Sequence, residues 1–153
     1  MAKCYQLIGV PGSGKSTWYN TVFLDLAVYV STDHFVDLEA ARQGKTYNEV
    51  FKDYMPTAVK LMADVVVEAR RLDMDVVWDQ TSTTVNSRRK KFNMLPGYEH
   101  IAVVFPTPDK EELTRRLSSR PGKNIPSSVM NSMIDNFVMP THDEGFTDIR
   151  VMK

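Results

Sequence analysis

The stretch Gly9-Val10-Pro11-Gly12-Ser13-Gly14-Lys15-Ser16 decides how this chain is read. It has the G-x-x-x-x-G-K-[ST] spacing of a phosphate-binding loop. It also lies between an apolar run at 5–8 and a helix-like segment at 15–24, the strand-to-helix setting such a loop needs. The glycines let the backbone turn through positive φ and bring several N–H groups toward phosphate oxygens, and the helix start adds positive potential. Lys15 is placed to hold the β- and γ-phosphates of a nucleotide. Ser16 offers its hydroxyl to Mg²⁺, a hard cation that takes oxygen ligands and keeps most of its waters. Gly12, Ser13, Gly14, Lys15, Ser16 and Thr17 are therefore the expected nucleotide site, with ATP and Mg²⁺ as cofactors.

The totals narrow the setting. A chain of 153 residues suits a single domain and leaves no room for a second catalytic one. Nineteen basic and nineteen acidic side chains cancel, so any polyanionic partner must be drawn by local patches. There is no apolar run long enough for a bilayer and no charged-then-apolar N-terminal signal; a cytoplasmic protein without a membrane partner is expected. The lone Cys4 excludes an internal disulfide and reads as a small buried apolar residue on the first strand. His34, His100 and His142 show no metal-ligand spacing.

Apolar runs alternate with helix-like runs throughout, which predicts βα units and a parallel sheet of four or five strands covered on both faces. The strands are expected at 3–10, 27–31, 75–79, 100–105 and 148–152. Helices are expected at 33–43, stopped by Gly44, and from a Thr46/Glu49 capping box toward Leu72. Pro56 either kinks the latter or separates two helices meeting near Met55. Further helices are read at 86–95, from Pro108 to Ser119, and from Pro126 to about Phe137. The basic loop Arg120-Pro121-Gly122-Lys123-Asn124 lies between the last two.

Ligands of open parallel sheets gather at the carboxyl ends of the strands, where the phosphate loop, Asp33 and Asp79 all fall. Asp33 is the expected general base toward an attacking hydroxyl, and Asp79 the carboxylate on the metal side. Each has a competing role as a helix cap. Phosphoryl transfer also needs cations on the developing charge and exclusion of water. A lid at about 116–126 would supply both, with Arg116 and Arg120 sharing one helix face and Arg115 turned away. The run Arg88-Arg89-Lys90-Lys91 is divided between holding an anionic acceptor and simple surface charge.

Residues 9–18 (GVPGSGKSTW), Ser31-Thr32-Asp33, the strand end Val77-Trp78-Asp79-Gln80-Thr81 with Arg88-Arg89 after it, and the lid from Arg116 to Pro126 together resemble the kinase module of T-even bacteriophage polynucleotide kinases. The likeness covers nearly the whole chain. It implies transfer of the γ-phosphate of ATP to the 5′-hydroxyl of DNA or RNA, with Mg²⁺. Lys15 and Ser16 then take the phosphate-loop roles, Asp33 is the base, Asp79 the second carboxylate and Arg120 the lid arginine. There are two departures. Where the phage family has an arginine for the acceptor phosphate, this chain has Val36, so Arg42, Arg88 or Arg89 must supply the grip or the acceptor differs. The phage enzymes also carry a phosphatase domain after the kinase module, so no 3′-end activity is expected here. Residues 44–79 and Glu144-Gly145-Phe146 resemble the wider group of small kinases that includes zeta-toxin-like proteins and kinases of modified DNA bases. A kinase of a nucleoside, modified base or other small hydroxyl compound is the alternative enzyme, and a nucleotide-driven switch the alternative of another class.

Overall fold

The computed structural model describes residues 1–22 and 27–153. Its sheet is built from β1 (Lys3–Ile8), β2 (Val28–Val30), β3 (Val76–Asp79), β4 (Glu99–Val104) and β5 (Asp148–Val151). They lie in the order β2-β3-β1-β4-β5 and every pairing is parallel. With β1 between β3 and β4, the loop leaving β1 opens at the point where strand order reverses, the place where such sheets bind ligands.

Period-two alternation sorts the strand residues onto two buried faces. Cys4, Val30, Val76 and Trp78 pack on one face with Met62, Val66 and Ala69. On the other, Leu7, Val77, Ile101, Val103 and Phe105 pack with Trp18, Tyr19 and Tyr29. Register fixes what reaches the site: Val77 pairs with Tyr29 and Asp79 with Leu7, so Asp79 stands two residues from the start of the phosphate loop. Cys4 is fully buried, as its sequence setting implies, and burial pushes its thiol far above the ordinary value.

The helices are α1 (Lys15–Thr21), α2 (Thr32–Gln43), α3 (Tyr47–Arg71), α4 (Val85–Met94), α5 (Lys110–Ser118) and α6 (Ser127–Asp135). Residues 23–24 of the expected first helix lie outside the described residues. Gly44 ends α2 in the left-handed conformation, and the Thr46/Glu49 capping box of α3 forms as expected.

Three expectations need correction. Pro56 does not divide two helices; α3 runs unbroken through it. An interior proline costs roughly 3 kcal/mol. Burying a Val or Met contributes roughly 1.5–3 kcal/mol each, and Val50, Met62 and Val66 are all buried along the inner stripe of α3 with Ala58 and Ala69, which outweighs the defect. Pro108 is outside α5, which is capped instead by Asp109 accepting from the Glu112 N–H at 2.9 Å. Finally, α5 stops at Ser118, so Arg116 is helical and Arg120 is not. The residue before a proline is disfavoured in the α region, and Arg120 precedes Pro121.

The lid segment rests on its own apolar cluster of Val10, Leu113 and Met130, with Leu117, Ile125 and Ile134 against them. Among the described residues no helix is long and apolar enough to cross a membrane.

Candidate active site

A cleft of about 1340 Å³ opens over the carboxyl ends of β1, β2 and β3. Gly12, Ser13, Gly14, Lys15, Ser16, Thr17, Asp33, Asp79, Arg116 and Arg120 all line it, so every residue of the expected nucleotide site and both carboxylates meet there. Gly14 precedes α1 with φ 105°, a conformation that a side chain would strain. Because α1 has no side-chain cap, the N–H groups of its first turn are left for an anion.

Lys15 is buried and donates from Nζ to the carbonyl oxygens of Gly9 and Val10, both at 2.9 Å. Burial lowers its pKa to about 8, with Asp79 and Asp33 opposing the shift and Arg120 and Lys123 adding to it. Ser16 Oγ donates to Asp79 Oδ2 at 3.2 Å, and the Tyr29 hydroxyl donates to the same oxygen. Burial, then the bond to Asp79, pushes the Tyr29 phenol far up, so it remains a donor. Asp79 caps no helix; Thr84 does that for α4. The Ser16 hydroxyl and Asp79 carboxylate form an oxygen pair of the kind a hydrated Mg²⁺ uses together with substrate phosphates. Among the described residues no cluster of three or more His, Cys, Asp or Glu side chains makes a closed cage.

Ser31, not Asp33, caps α2, by accepting from the His34 N–H at 3.3 Å. Asp33, in the first turn, is thus free to face the cleft and is half exposed. Its Oδ1 accepts from the Tyr47 hydroxyl at 2.6 Å and its Oδ2 from Lys123 Nζ at 2.9 Å. Burial works to raise this carboxyl, but the Lys123 ammonium and the Tyr47 bond override it and hold it below the ordinary value. The Lys123 ammonium also sits 4.3 Å above the centre of the Tyr47 ring.

The lid touches the loop directly, since Arg116 donates from Nη1 to the Gly12 carbonyl at 3.0 Å while its Nε holds Glu112. Arg115 also pairs with Glu112, through Nε and Nη2, and does not line the cleft. Arg120 lines the cleft from the loop after α5.

The three arginines nominated for the acceptor are not brought to the cleft. Arg42 pairs with Glu39 through Nε and Nη2 on the outer side of α2. Arg88 is fully buried and forked onto Glu144, with Nε and Nη2 at 2.8 and 3.1 Å from its two oxygens and Nη1 on the Ser82 carbonyl. Arg89 points to Asn86. Val36 is also fully buried, in the α2–α3 core with Ala40, Val50 and Ala58. Residues that sequence reasoning did not nominate line the cleft instead: Tyr29, Tyr47 and Lys123. Lys123 was visible as part of a basic loop, whereas the two tyrosines carry no spacing signal.

Known proteins share this fold. The chain is 28% identical over 148 residues, 94% of its length, to the bifunctional polynucleotide phosphatase/kinase of Schizosaccharomyces pombe, and spans 31% of that protein. The Pnkp1/Rnl/Hen1 RNA repair complex contains a chain that superposes with a TM-score of 0.69 at 24% identity, over 88% of this chain and 43% of that one. A structure from the PezAT toxin-antitoxin system of Streptococcus pneumoniae superposes with a TM-score of 0.67 at 22% identity, covering all of this chain and 67% of the other. A family model described as AAA domain matches residues 6–140. The chain therefore belongs to the AAA domain family, as a P-loop kinase domain.

Proposed function

We propose that this kinase is a polynucleotide 5′-hydroxyl kinase, transferring the γ-phosphate of ATP to the 5′-hydroxyl of a DNA or RNA end. The observation that carries the reading is the placement of Asp33. It lines the same cleft as Lys15 and Ser16 and does not cap α2, so its carboxylate, held by Tyr47 and Lys123, faces the space where a hydroxyl acceptor would sit. The cleft is open and lined by Lys15, Lys45, Arg116, Arg120, Lys123 and Lys153, which suits a polyanionic strand better than a neutral metabolite. Similarity to a polynucleotide phosphatase/kinase points the same way.

In this reading the loop amides and Lys15 hold the β- and γ-phosphates. Mg²⁺ belongs beside Ser16 and Asp79 and, when bound, neutralises charge on the phosphates. Asp33 accepts the proton of the attacking 5′-hydroxyl, and Arg116 and Arg120 face the charge that develops on the transferring group. The cytoplasm is the proposed setting, and repair of nucleic-acid ends the proposed use.

The experiment is transfer of labelled γ-phosphate from ATP to 5′-hydroxyl DNA and RNA strands, beside free nucleosides, with Asp33→Asn as control. Label on strand ends is expected. The variant should bind ATP normally and transfer about 10²–10⁴-fold more slowly, the contribution of a positioned base. Label on nucleosides alone would assign a small-molecule kinase, and phosphate release without any acceptor would assign a switch.

A further inference from the structure

Two facts about the acceptor side do not fit together until the lid is considered. The expected base, Asp33, is already hydrogen-bonded on both oxygens, by Tyr47 and Lys123. The cation needed for an acceptor's phosphate comes neither from position 36, buried as valine, nor from Arg42, Arg88 or Arg89, each engaged elsewhere. Lys123 answers both.

We propose that Lys123 is the residue that reads the acceptor's own phosphate: paired with Asp33 while the acceptor site is empty, it exchanges that carboxylate for the phosphate on the acceptor's 3′-oxygen and so unmasks the base. This rests on the polynucleotide kinase reading and specifies its substrate. The preferred acceptor is a 5′-hydroxyl nucleotide bearing a 3′-phosphate or phosphodiester, in preference to a bare nucleoside.

The lid is built to hold Lys123 at this point. On one side the Gly122 carbonyl accepts from the Asn48 N–H at 3.0 Å. On the other, the Asn48 side chain bonds the backbone of Asn124 in both directions, Nδ2 to the carbonyl and Oδ1 from the N–H, each at 3.1 Å. Gly122 lies so close to α3 that a β-carbon there would come within 2.6 Å of Thr46 Cβ. The main chain on either side of Lys123 is thus clasped to the start of α3, while its ammonium rests over Tyr47. An ammonium has three rotatable donors on a flexible stem, so its anionic partner can change while the loop stays in place. A phosphate on the 3′-oxygen is the nearest anion that a 5′-hydroxyl nucleotide brings with it.

Chemically the exchange leaves the reaction balanced. The 5′-oxygen bonds to the γ-phosphorus as its proton passes to Asp33, the bond from that phosphorus to the β–γ bridging oxygen breaks, and ADP leaves with the electron pair. With Lys123 withdrawn, Asp33 still faces the Tyr47 hydroxyl from α3, Lys15 from α1 and Asp37 on α2, which in turn feels His34 and Arg120. Replacing Lys123 by methionine therefore also moves the acid limb of the rate profile to higher pH.

The test compares thymidine 3′-monophosphate with thymidine, using ATP and Mg²⁺, in wild type, Lys123→Met and Lys123→Arg, with ATP binding as the check on folding. The wild-type protein should favour the 3′-phosphate in kcat/KM. Lys123→Met should lower kcat/KM for it about 100-fold, the size of a lost charge pair, without a matching fall for thymidine. Lys123→Arg should restore most of the preference. An unchanged preference in Lys123→Met, or an equal fall on both acceptors, overturns the role of Lys123. If the wild-type protein labels neither thymidine 3′-monophosphate nor any 5′-hydroxyl strand, the polynucleotide kinase reading fails and this inference fails with it.

Discussion

Lys15 illustrates what a single buried charge does for the nucleotide. In the cleft its ammonium donates to the carbonyls of Gly9 and Val10, and burial brings its pKa to about 8. Phosphate binding requires the charged form, so the protonated fraction of the free protein falls as pH rises through that value. ATP affinity is expected to weaken above pH 8 by up to about tenfold per unit, with proton uptake on binding. Calorimetric titrations between pH 7 and 9.5, in buffers of different ionisation enthalpy, check both; affinity flat across that range would remove Lys15 as the titrating group. At this scale the sequence was legible where a residue belongs to a spacing. Lys15 and Ser16 come with the loop, and Asp33 and Asp79 come with strand ends. It was silent on Tyr29 and Tyr47, because a tyrosine in a strand or amphipathic helix looks like core until its hydroxyl finds a carboxylate. Lys123 and Asp33 are 90 positions apart, a relation that no local pattern expresses.

Among the elements, α3 shows core burial overriding local propensity. Pro56 is exposed, so its ring contributes no core packing, yet it removes one hydrogen bond from a 25-residue helix. Pro56→Ala is expected to raise stability, by up to about 3 kcal/mol, with no loss of transfer activity. Denaturant unfolding measures it; a lower midpoint would mean that the proline fixes a bend the packing needs. The end of α5 is the opposite case, in which a local rule prevailed. Arg116 and Arg120 look like neighbours on one helical face, but Pro121 takes Arg120 out of the helix, and both still reach the cleft, from different elements. Capping signals at Thr46 and Gly44 were readable because each is complete within four residues. Where Arg42, Arg88 and Arg89 point was not, because their partners in the fold decide it.

For the whole molecule, alternation of apolar and helical runs was enough to give a parallel sheet, but not the order of its strands. That order depends on pairings such as Cys4 with both Val76 and His100, which bring together segments far apart in the chain. The buried fork between Arg88 and Glu144 is a contact of the same kind. Glu144→Ala leaves that guanidinium without a counter-charge in the interior. A loss of about 3–5 kcal/mol is expected, measurable as a lower urea midpoint, although Glu144 does not line the cleft. A loss under about 1 kcal/mol would mean that water or the Ser82 carbonyl satisfies Arg88 well enough alone.

The same fork sets a timetable for biosynthesis. A ribosome releases Arg88 first and Glu144 56 residues later, so throughout that interval the nascent chain carries a cation that its interior cannot accept. The loop from which Ser82 holds Arg88 follows directly on Asp79. Binding competence is therefore expected to come late, once translation has passed position 144, although the phosphate loop is complete from the first 16 residues.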